Sequence, residues 1–528
     1  MQAKLTKDKK KVLRAEDLAK KQREISISEF FAKNRHLLGF DNPRKALLTT
    51  IKEAVDNALD ACEESKILPV IKIEIQQIKG TEDRFNIIVE DNGPGIVKKQ
   101  IPKIFGKLLY GSKFHKLAQS RGQQGIGISA SALYGQMTTG KGIKIISKTG
   151  KNQPAHYYEI TLNTNTNNPE IVNEEEREWE VNNGTKLQLT LEGKYQKGRQ
   201  SVDEYIGLTA IANPHATIFY KSPTEDWLEF SKATDLLPIE PKEIKPHPYG
   251  IELGTLIKML KDTNAKTLQQ FLTSEFSRVS SNVAKQICEK AGLYVRARPK
   301  RIARQEADNL YRSIQNTKIM SPPTNCLSPI GEDLILKGLK KEVDAEFYIS
   351  TTRPPSVYRG NPFIVEAGIA YGGSLKGDEL VKVIRLANRV PLQYKKGDCA
   401  VTKAVVNTAW RNYGLSQSRG ALPQGAAIIM VHVASVWVPF TSESKEAVAS
   451  YPEIIKELKL ALQECGRKLG THIKKKKRMA ENVKKKSYIE KYLPHLTLGV
   501  KQILDLNEEK EKELAEHLKN ILERSREI

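Results

Sequence analysis

The sequence predicts an α+β multidomain protein: an α/β sandwich, a helical insert, a second α/β domain and a helical C-terminal tail. Three observations carry this reading. Helical periodicity and alternating strands are intermixed over residues 22–232. Prolines at 238, 241, 246 and 248, and again at 322, 323 and 329, break regular structure twice. Apolar strand runs return after the second break and give way to lysine-rich helical text. At 528 residues the chain exceeds one ordinary domain.

In chain order, residues 1–21 read as a basic N-terminal arm, rich in Lys and Glu and without the apolar centre of a secretory signal. The sandwich, 22–232, contains a helix that starts at the Asn42-Pro43 cap and carries Leu47, Leu48, Ile51, Val55, Ala58 and Cys62 at helical spacing. Strands are expected at 71–75, 85–89, 157–162 and 186–191, and a glycine-rich turn opens a helix running to Leu133. The insert, 233–316, reads as helices at 251–260, 268–276 and 283–291, then a basic stretch, 296–312, helical after Pro299. In the domain 317–472, strands at 363–371 and 427–438 are separated by helices at 380–387 and 401–413. The tail, 473–528, opens on Lys474 to Arg478 and continues as amphipathic helices bearing Leu504, Leu514, Leu518 and Leu522.

The chemistry concentrates in two stretches. EAVDNALDA places Glu53, Asn57 and Asp60 at i, i+4 and i+7, one stripe of a helix. An Asn oxygen is a hard ligand for Mg²⁺ that adds no charge beside a triphosphate, and a nearby Glu suits deprotonation of an attacking water. DNGPGI follows the strand 85–89. Asp91 stands at the strand end, where a carboxylate accepts from an exocyclic amine, and glycines let the backbone pass close to a ligand. A third element, RGQQGIGISA from Arg121, aims backbone amides at phosphate oxygens from a helix N-terminus. Singly, these fit a solvated helix face, a hairpin turn and a flexible loop; jointly and in order they read as an ATP pocket. No GxxxxGK[ST] is present, and no βαβ unit surrounds the glycines, so P-loop and dinucleotide readings fail.

Charge and cysteine usage bound the rest. Lys plus Arg number 85 against 62 acidic residues, and the +23 excess points to a polyanion partner, nucleic acid. Five scattered cysteines without a CxxC pair argue against a disulfide framework or a zinc site, so a reducing cytoplasm is the expected location. No apolar run approaches membrane-spanning length. Candidate DNA contacts are Lys197 and Arg199 in a loop, the interleaved Trp410, Arg411 and Tyr413, and the basic stretch 296–304.

Helix acid and amide, then DNGPGI, then the Gly-rich loop, resemble the GHKL ATPases, the group of gyrase B, the heat-shock chaperone ATPases, MutL-type repair proteins and histidine kinases. The resemblance implies ATP and Mg²⁺ as ligands, Glu53 as general base and Asn57 as the magnesium ligand. Asp91 would read adenine, with Gly93 and Gly95 shaping its pocket. Ser112 and Lys113 would wrap the phosphates with Gly122, Gln123, Gln124, Gly125, Ile126, Gly127, Ile128 and Ser129. Thr185 corresponds to the strand threonine that helps bind adenine.

With its domain order, the chain is similar over nearly its whole length to the B subunits of the type IIB (topoisomerase VI) family, in which a helix-two-turns-helix insert separates a GHKL (Bergerat) sandwich from a transducer. That family implies ATP-dependent self-dimerisation, an A2B2 heterotetramer with a DNA-cleaving A subunit, and a transducer lysine at the γ-phosphate, here Lys445 after the strand ending at Phe440. No metal-binding acidic cluster for cleavage is legible in the chain, so cutting is assigned to the A subunit. Two rival classes are another GHKL machine, such as a MutL-type clamp, and a DNA-binding scaffold without turnover.

Overall fold

A computed structural model describes residues 15–19, 22, 25–112, 116–122 and 125–524. Most of the expected N-terminal arm lies outside these residues; α1 (Ala15–Ala19) belongs to it. After α2 (Ile27–Lys33) comes α3 (Pro43–Glu64), the helix on which the site is built. Asn42 caps it by accepting from the Lys45 amide at 2.9 Å, and Pro43 takes the first turn, where no N–H is needed. Its apolar stripe, including Leu47, Ile51, Val55 and Leu59, is fully buried.

That stripe packs on an eight-stranded sheet of β1 (Val70–Gln77), β2 (Arg84–Asp91), β3 (Ile143–Lys148), β4 (Ala155–Asn163), β5 (Asn168–Arg177), β6 (Gly184–Glu192), β7 (Thr217–Lys221) and β8 (Leu228–Phe230). The strand order is β5-β4-β3-β6-β2-β1-β7-β8, antiparallel except for the β1–β7 pair. Ile71, Ile73 and Ile75 of β1 show the period of two expected where one face meets the core. Helices α3, α4 (Ile101–Gly106), α5 (Gly127–Thr139) and α6 (Val202–Ala212) supply the second layer.

The insert has its own core. Helices α7 (Leu253–Asp262), α8 (Leu268–Glu275), α9 (Ser281–Ala291) and α10 (Arg304–Gln315) enclose Leu256, Phe271, Leu272, Ile287 and Leu310. The basic stretch does not become helical at Pro299: a single 3-10 turn spans Pro299–Arg301, and α10 starts at Arg304, where Glu306 reaches back to accept from the Ala303 amide at 2.8 Å.

The remaining elements are α11 (Glu332–Glu342), β9 (Phe347–Thr352), β10 (Ser356–Tyr358), β11 (Asn361–Tyr371), β12 (Lys382–Ala387), β13 (Val390–Pro391), α12 (Ala400–Val406), the β14 (Ser416–Gln417) and β15 (Pro423–Gln424) pair, β16 (Ala427–Ser435), α13 (Pro452–Leu504) and α14 (Glu508–Arg524). The second sheet runs β10-β11-β16-β12-β13, with β9 also on β11. Residues 380–387, read from sequence as a helix, are largely the strand β12, parallel to β16. The apolar residues of β12 are divided between cores on both sides of the sheet, Ala387 on one and Ile384 and Leu386 on the other. A strand buried on two faces reads as a continuous apolar run, which periodicity does not separate from a buried helix. Likewise, the helix expected at 401–413 ends at Val406, and a 3-10 turn covers Trp410–Tyr413.

One face of this sheet packs α12 and the first part of α13. The other packs α11, and through α11 the sandwich, because Ile335 and Leu339 meet Leu208 and Ile211 of α6. At Gly338 a Cβ would stand 2.3 Å from the Ile211 carbonyl oxygen, so the contact between the two units requires glycine. Of the amphipathic helices expected after Lys474, the first, ending at Leu504, is a continuation of α13, whose 53 residues span about 80 Å, and the second, bearing Leu514, Leu518 and Leu522, is the separate helix α14. Position 473 lies inside this helix: Leu458, Leu462 and Leu469 are buried, whereas Lys474 to Lys484 are exposed. Among the described residues no helix is long and apolar enough to cross a membrane.

A buried polar group ties the second sheet together. Glu366 of β11 accepts from the amides of Ile330 and Gly331, each at 2.7 Å, from Thr352 Oγ1 at 2.9 Å and from His432 Nδ1 at 2.7 Å. His432 Nε2 in turn accepts from the Arg389 amide, which fixes the Nδ1–H tautomer. Glu366→Ala is expected to destabilise this domain by about 3–5 kcal/mol, because it strands four buried donors. Denaturant unfolding followed at Trp410 checks this, and a loss below about 1 kcal/mol contradicts it.

Candidate active site

A cavity of about 620 Å³ forms where α3, the end of β2, the start of α5 and the turn after β16 converge. That volume lies in the range of small-molecule sites. It is lined by the apolar Phe40, Ile96, Ile104, Phe105 and Leu187 and by the polar Lys52, Glu53, Asn57 and Lys445.

Asp91 lines the cavity at the end of β2. Its Oδ1 accepts from the Gly93 amide at 2.8 Å and the Thr185 amide at 3.3 Å. No described residue donates to Oδ2, which a ligand amine therefore has to itself. Burial lifts the carboxyl pKa to about 6, opposed by those two amides. Gly93 does not line the cavity: it supports Asp91, and a Cβ there would lie 2.8 Å from Oδ1. Gly95 does line it, at φ +73°, with its missing Cβ 2.1 Å from the Lys148 carbonyl oxygen. Thr185 also lines the cavity, and its hydroxyl pairs with Ser147 at 3.2 Å.

On α3, Glu53 and Asn57 line the cavity one helical turn apart. A Cβ on Gly127 would lie 1.7 Å from Glu53 Oε2, so this glycine is the space the carboxylate occupies. Ser112, Gly122, Gly125, Ile126, Gly127 and Ile128 line the cavity, with the N-terminus of α5 among them. Lys113, Gln123 and Gln124 fall outside the described residues. Ser129 points the other way: buried, it donates to the carbonyls of Ile104 and Lys107 at 3.1 Å each and secures the end of α4. The helical phase of α5 turns its side chain inward.

The donor set suits Mg²⁺. Among the described residues no group of three or more His, Cys, Asp or Glu side chains forms a metal cluster. A magnesium ion here would take the Asn57 amide oxygen from the protein and the rest of its shell from phosphate oxygens and water, the usual arrangement for this ion with a nucleotide.

Lys445 enters from the second domain on a turn with φ +51°, and its Nζ donates to the Arg121 carbonyl at 3.3 Å. Burial lowers its pKa below the ordinary lysine value while Glu53 opposes the shift. The neighbouring Glu446 is buried and pairs with Lys45 of α3 at 2.5 Å, and Lys45 also reaches Asp41 at 2.9 Å.

Sequence reasoning missed the groups beneath the cavity. Asp60 is not part of the ligand-facing stripe: it pairs with Arg121 Nη1 at 2.7 Å, and Glu63 takes both Arg121 nitrogens at 2.7 and 2.8 Å. Asn213 and His215 complete the cluster. Arg121 holds the Glu63 carboxyl far below the usual range against the effect of burial. Asp56, buried beneath α6 and bonded by Tyr205 at 3.1 Å, is pushed up to about 7 by burial. The arginine directly before the glycines and the acids at 60 and 63 were the available signal.

The surface candidates divide. Lys197 and Arg199 are exposed in a loop, Lys197 in an ion pair with Glu225. Arg296, Arg298, Lys300, Arg301 and Arg304 are exposed. Trp410, however, is fully buried, and its Nε1 donates to the Val405 carbonyl at 2.8 Å. Tyr413 packs against Gly466 of α13, where a Cβ would lie 2.5 Å from its ring. Only Arg411 of that motif is exposed.

The fold and cavity define a nucleotide-binding ATPase domain joined to a second domain that completes its site. The family described as histidine kinase-, DNA gyrase B- and HSP90-like ATPase matches residues 42–191, and the topoisomerase VI B subunit transducer family matches 322–485. The B subunits of type 2 DNA topoisomerase 6 from Methanococcoides burtonii and Archaeoglobus fulgidus are each 51% identical to the chain, over 93% and 92% of it and 79% and 80% of their own lengths. A third protein of that name, from Natronomonas pharaonis, is 38% identical over 96% of the chain and 86% of its own length. The chain belongs to the family of type 2 DNA topoisomerase 6 B subunits.

Gly127→Ala is expected to displace the flexible end of Glu53 at little cost in stability. ATP turnover should fall by about 10² while stability changes by no more than about 1 kcal/mol. Steady-state hydrolysis and thermal unfolding measured side by side check this, and unimpaired turnover contradicts it.

Proposed function

We propose that this chain is the ATP-binding and ATP-hydrolysing subunit of a type IIB DNA topoisomerase, in which ATP-driven self-dimerisation clamps double-stranded DNA. It works as an A2B2 heterotetramer with a cleaving A subunit, in the cytoplasm on nucleoid DNA. The observation that carries this is Lys445: a side chain of the second domain lines the cavity that holds Glu53 and Asn57 of the first. One bound nucleotide is then felt by both domains.

In this reading Asp91 accepts the adenine amine, and the apolar lining of the cavity excludes water from the base. Backbone amides at the start of α5 receive phosphate oxygens. Mg²⁺ on Asn57 neutralises phosphate charge when bound. Glu53 takes a proton from the attacking water, and the Lys445 ammonium balances charge on the terminal phosphoryl group. Departure of that group leaves Lys445 with only the Arg121 carbonyl, and the second domain is released to move. ATP at a hundredfold its dissociation constant shifts the closed state by about 2.7 kcal/mol per site, enough to close a clamp that is otherwise mostly open. Lys197, Arg199, Arg411 and the exposed arginines at 296–304 contact DNA phosphates.

Relaxation of supercoiled plasmid by the chain together with its A subunit is expected only with ATP, and Glu53→Ala should lose ATP hydrolysis by about 10² while still binding nucleotide. Relaxation by this chain alone, or near-normal turnover by Glu53→Ala, contradicts the proposal.

Asp91 predicts a pH dependence. Its pKa of about 6 in the free protein is raised by burial, and an amine donated by adenine favours the ionised form. Nucleotide affinity should be level above about pH 6 and weaken by up to tenfold per unit below it, as the free carboxyl protonates. Calorimetric titrations of a non-hydrolysable analogue from pH 5 to 8, with Asp91→Asn as reference for titration of the phosphates, test this. Parallel profiles for the two proteins contradict it.

A further inference from the structure

Three consecutive residues just before the glycine-rich loop are held by the second domain. The Gln119 amide donates to the Cys326 carbonyl at 2.9 Å; its side chain donates to the Ser328 carbonyl at 2.9 Å and accepts from the Ser328 amide at 2.7 Å. Asn388 Nδ2 donates to the Ser120 carbonyl at 3.0 Å, and Lys445 takes the carbonyl of Arg121. The side chain of Arg121 is meanwhile buried in the first domain against Asp60 and Glu63. Gly122, the next residue, already lines the cavity, and its amide faces Asp60 Oδ2 at 3.5 Å. The segment 119–122 is thus bonded to both domains immediately before the phosphate-facing turn.

The group that reaches Ser120 is unusual in its backbone. Asn388 and Arg389 form the two-residue turn between β12 and β13, with φ of +47° and +68°. A hairpin turn with both central residues at positive φ favours Asn-Gly, and an arginine in the second place is conformationally costly. The arginine has a use: buried, it donates to the carbonyls of Ser328 and Pro329 at 3.3 and 3.0 Å, the same segment that grips Gln119. Asn388 is equally committed, pairing with the backbone of Ser435 at 2.9 Å in both directions. Both residues of the turn are spent on fixing its position against 119–121.

We infer that Asn388 and Gln119 are positioning residues that couple the phosphate loop to the second domain, so that movement of the β12–β13 turn and movement of the loop base at 119–122 are one event. Lys445 senses the terminal phosphoryl group directly; Asn388 transmits the state of the loop through the backbone of Ser120. This rests on the proposed ATP-driven strand passage and adds to it which contact converts turnover into motion.

The test is Asn388→Gly in the full chain with its A subunit. Glycine keeps the positive φ and removes only the amide. The readouts are kcat and KM for ATP in the presence of DNA, and supercoils relaxed per ATP hydrolysed. The expected result is a KM within twofold of the parent, since Asn388 does not line the nucleotide cavity, with relaxation per ATP reduced fivefold or more. Gln119→Glu, which keeps the acceptor for the Ser328 amide and loses the donor, should shift the same ratio in the same direction. An unchanged ratio in both variants overturns the inference, as does a loss of ATP affinity in parallel with relaxation, which marks a merely structural contact. Failure of the parent protein to hydrolyse ATP would instead sink the functional reading together with this one.

Discussion

The architecture turns on one buried arginine. Arg121 is buried against Asp60, Glu63 and Asn213, which accept from its two terminal nitrogens. Burying such a group is costly without its partners, so the arrangement defines a single geometry for three pieces of chain: the last turns of α3, the end of α6 and the entry to the glycine-rich loop. The loop has little side-chain mass of its own to hold it. Its starting point is set by the electrostatics of the residue before it.

From that fixed point the two domains are joined by unlike means. Apolar packing between α6 and α11, with Gly338 letting the helices approach, keeps the units in contact over a wide face. Polar contacts near the cavity, Lys45 with Glu446 and Lys445 with the Arg121 carbonyl, are few, directional and dependent on the charges beside them. The first kind tolerates small displacement; the second kind does not. Under the proposed function, in which the site reports the presence of one phosphoryl group, the second kind serves better, placed where the ligand alters the local charge.

Much of this was legible in the sequence because the signals are local. The cap Asn42-Pro43, the Glu53 and Asn57 spacing and DNGPGI each lie within one element, so periodicity and turn chemistry place them correctly on α3 and at the end of β2. The misses have a common cause, which is that their deciding contacts are distant in sequence. Arg121 finds Asp60 sixty-one residues away and Asn213 ninety-two away. The strand β12 is buried on both faces and so loses its alternation. Ser129 belongs to the glycine-rich motif by position but faces α4, and Trp410 looks like an exposed aromatic beside a base until α13 covers it.

The rod-like continuity of α13 changes what a small adjustment at the cavity means elsewhere. Its first turns are clamped in the second sheet's core, while the lysine-rich remainder runs on past that core, with Pro494 removing one hydrogen bond from the helical ladder. The part beyond Ile473 spans about 45 Å, so each degree of tilt at the clamped end carries Leu504 through about 0.8 Å. A few degrees becomes a displacement comparable to the rise of about one base pair, so the distant end magnifies a small adjustment at the cavity.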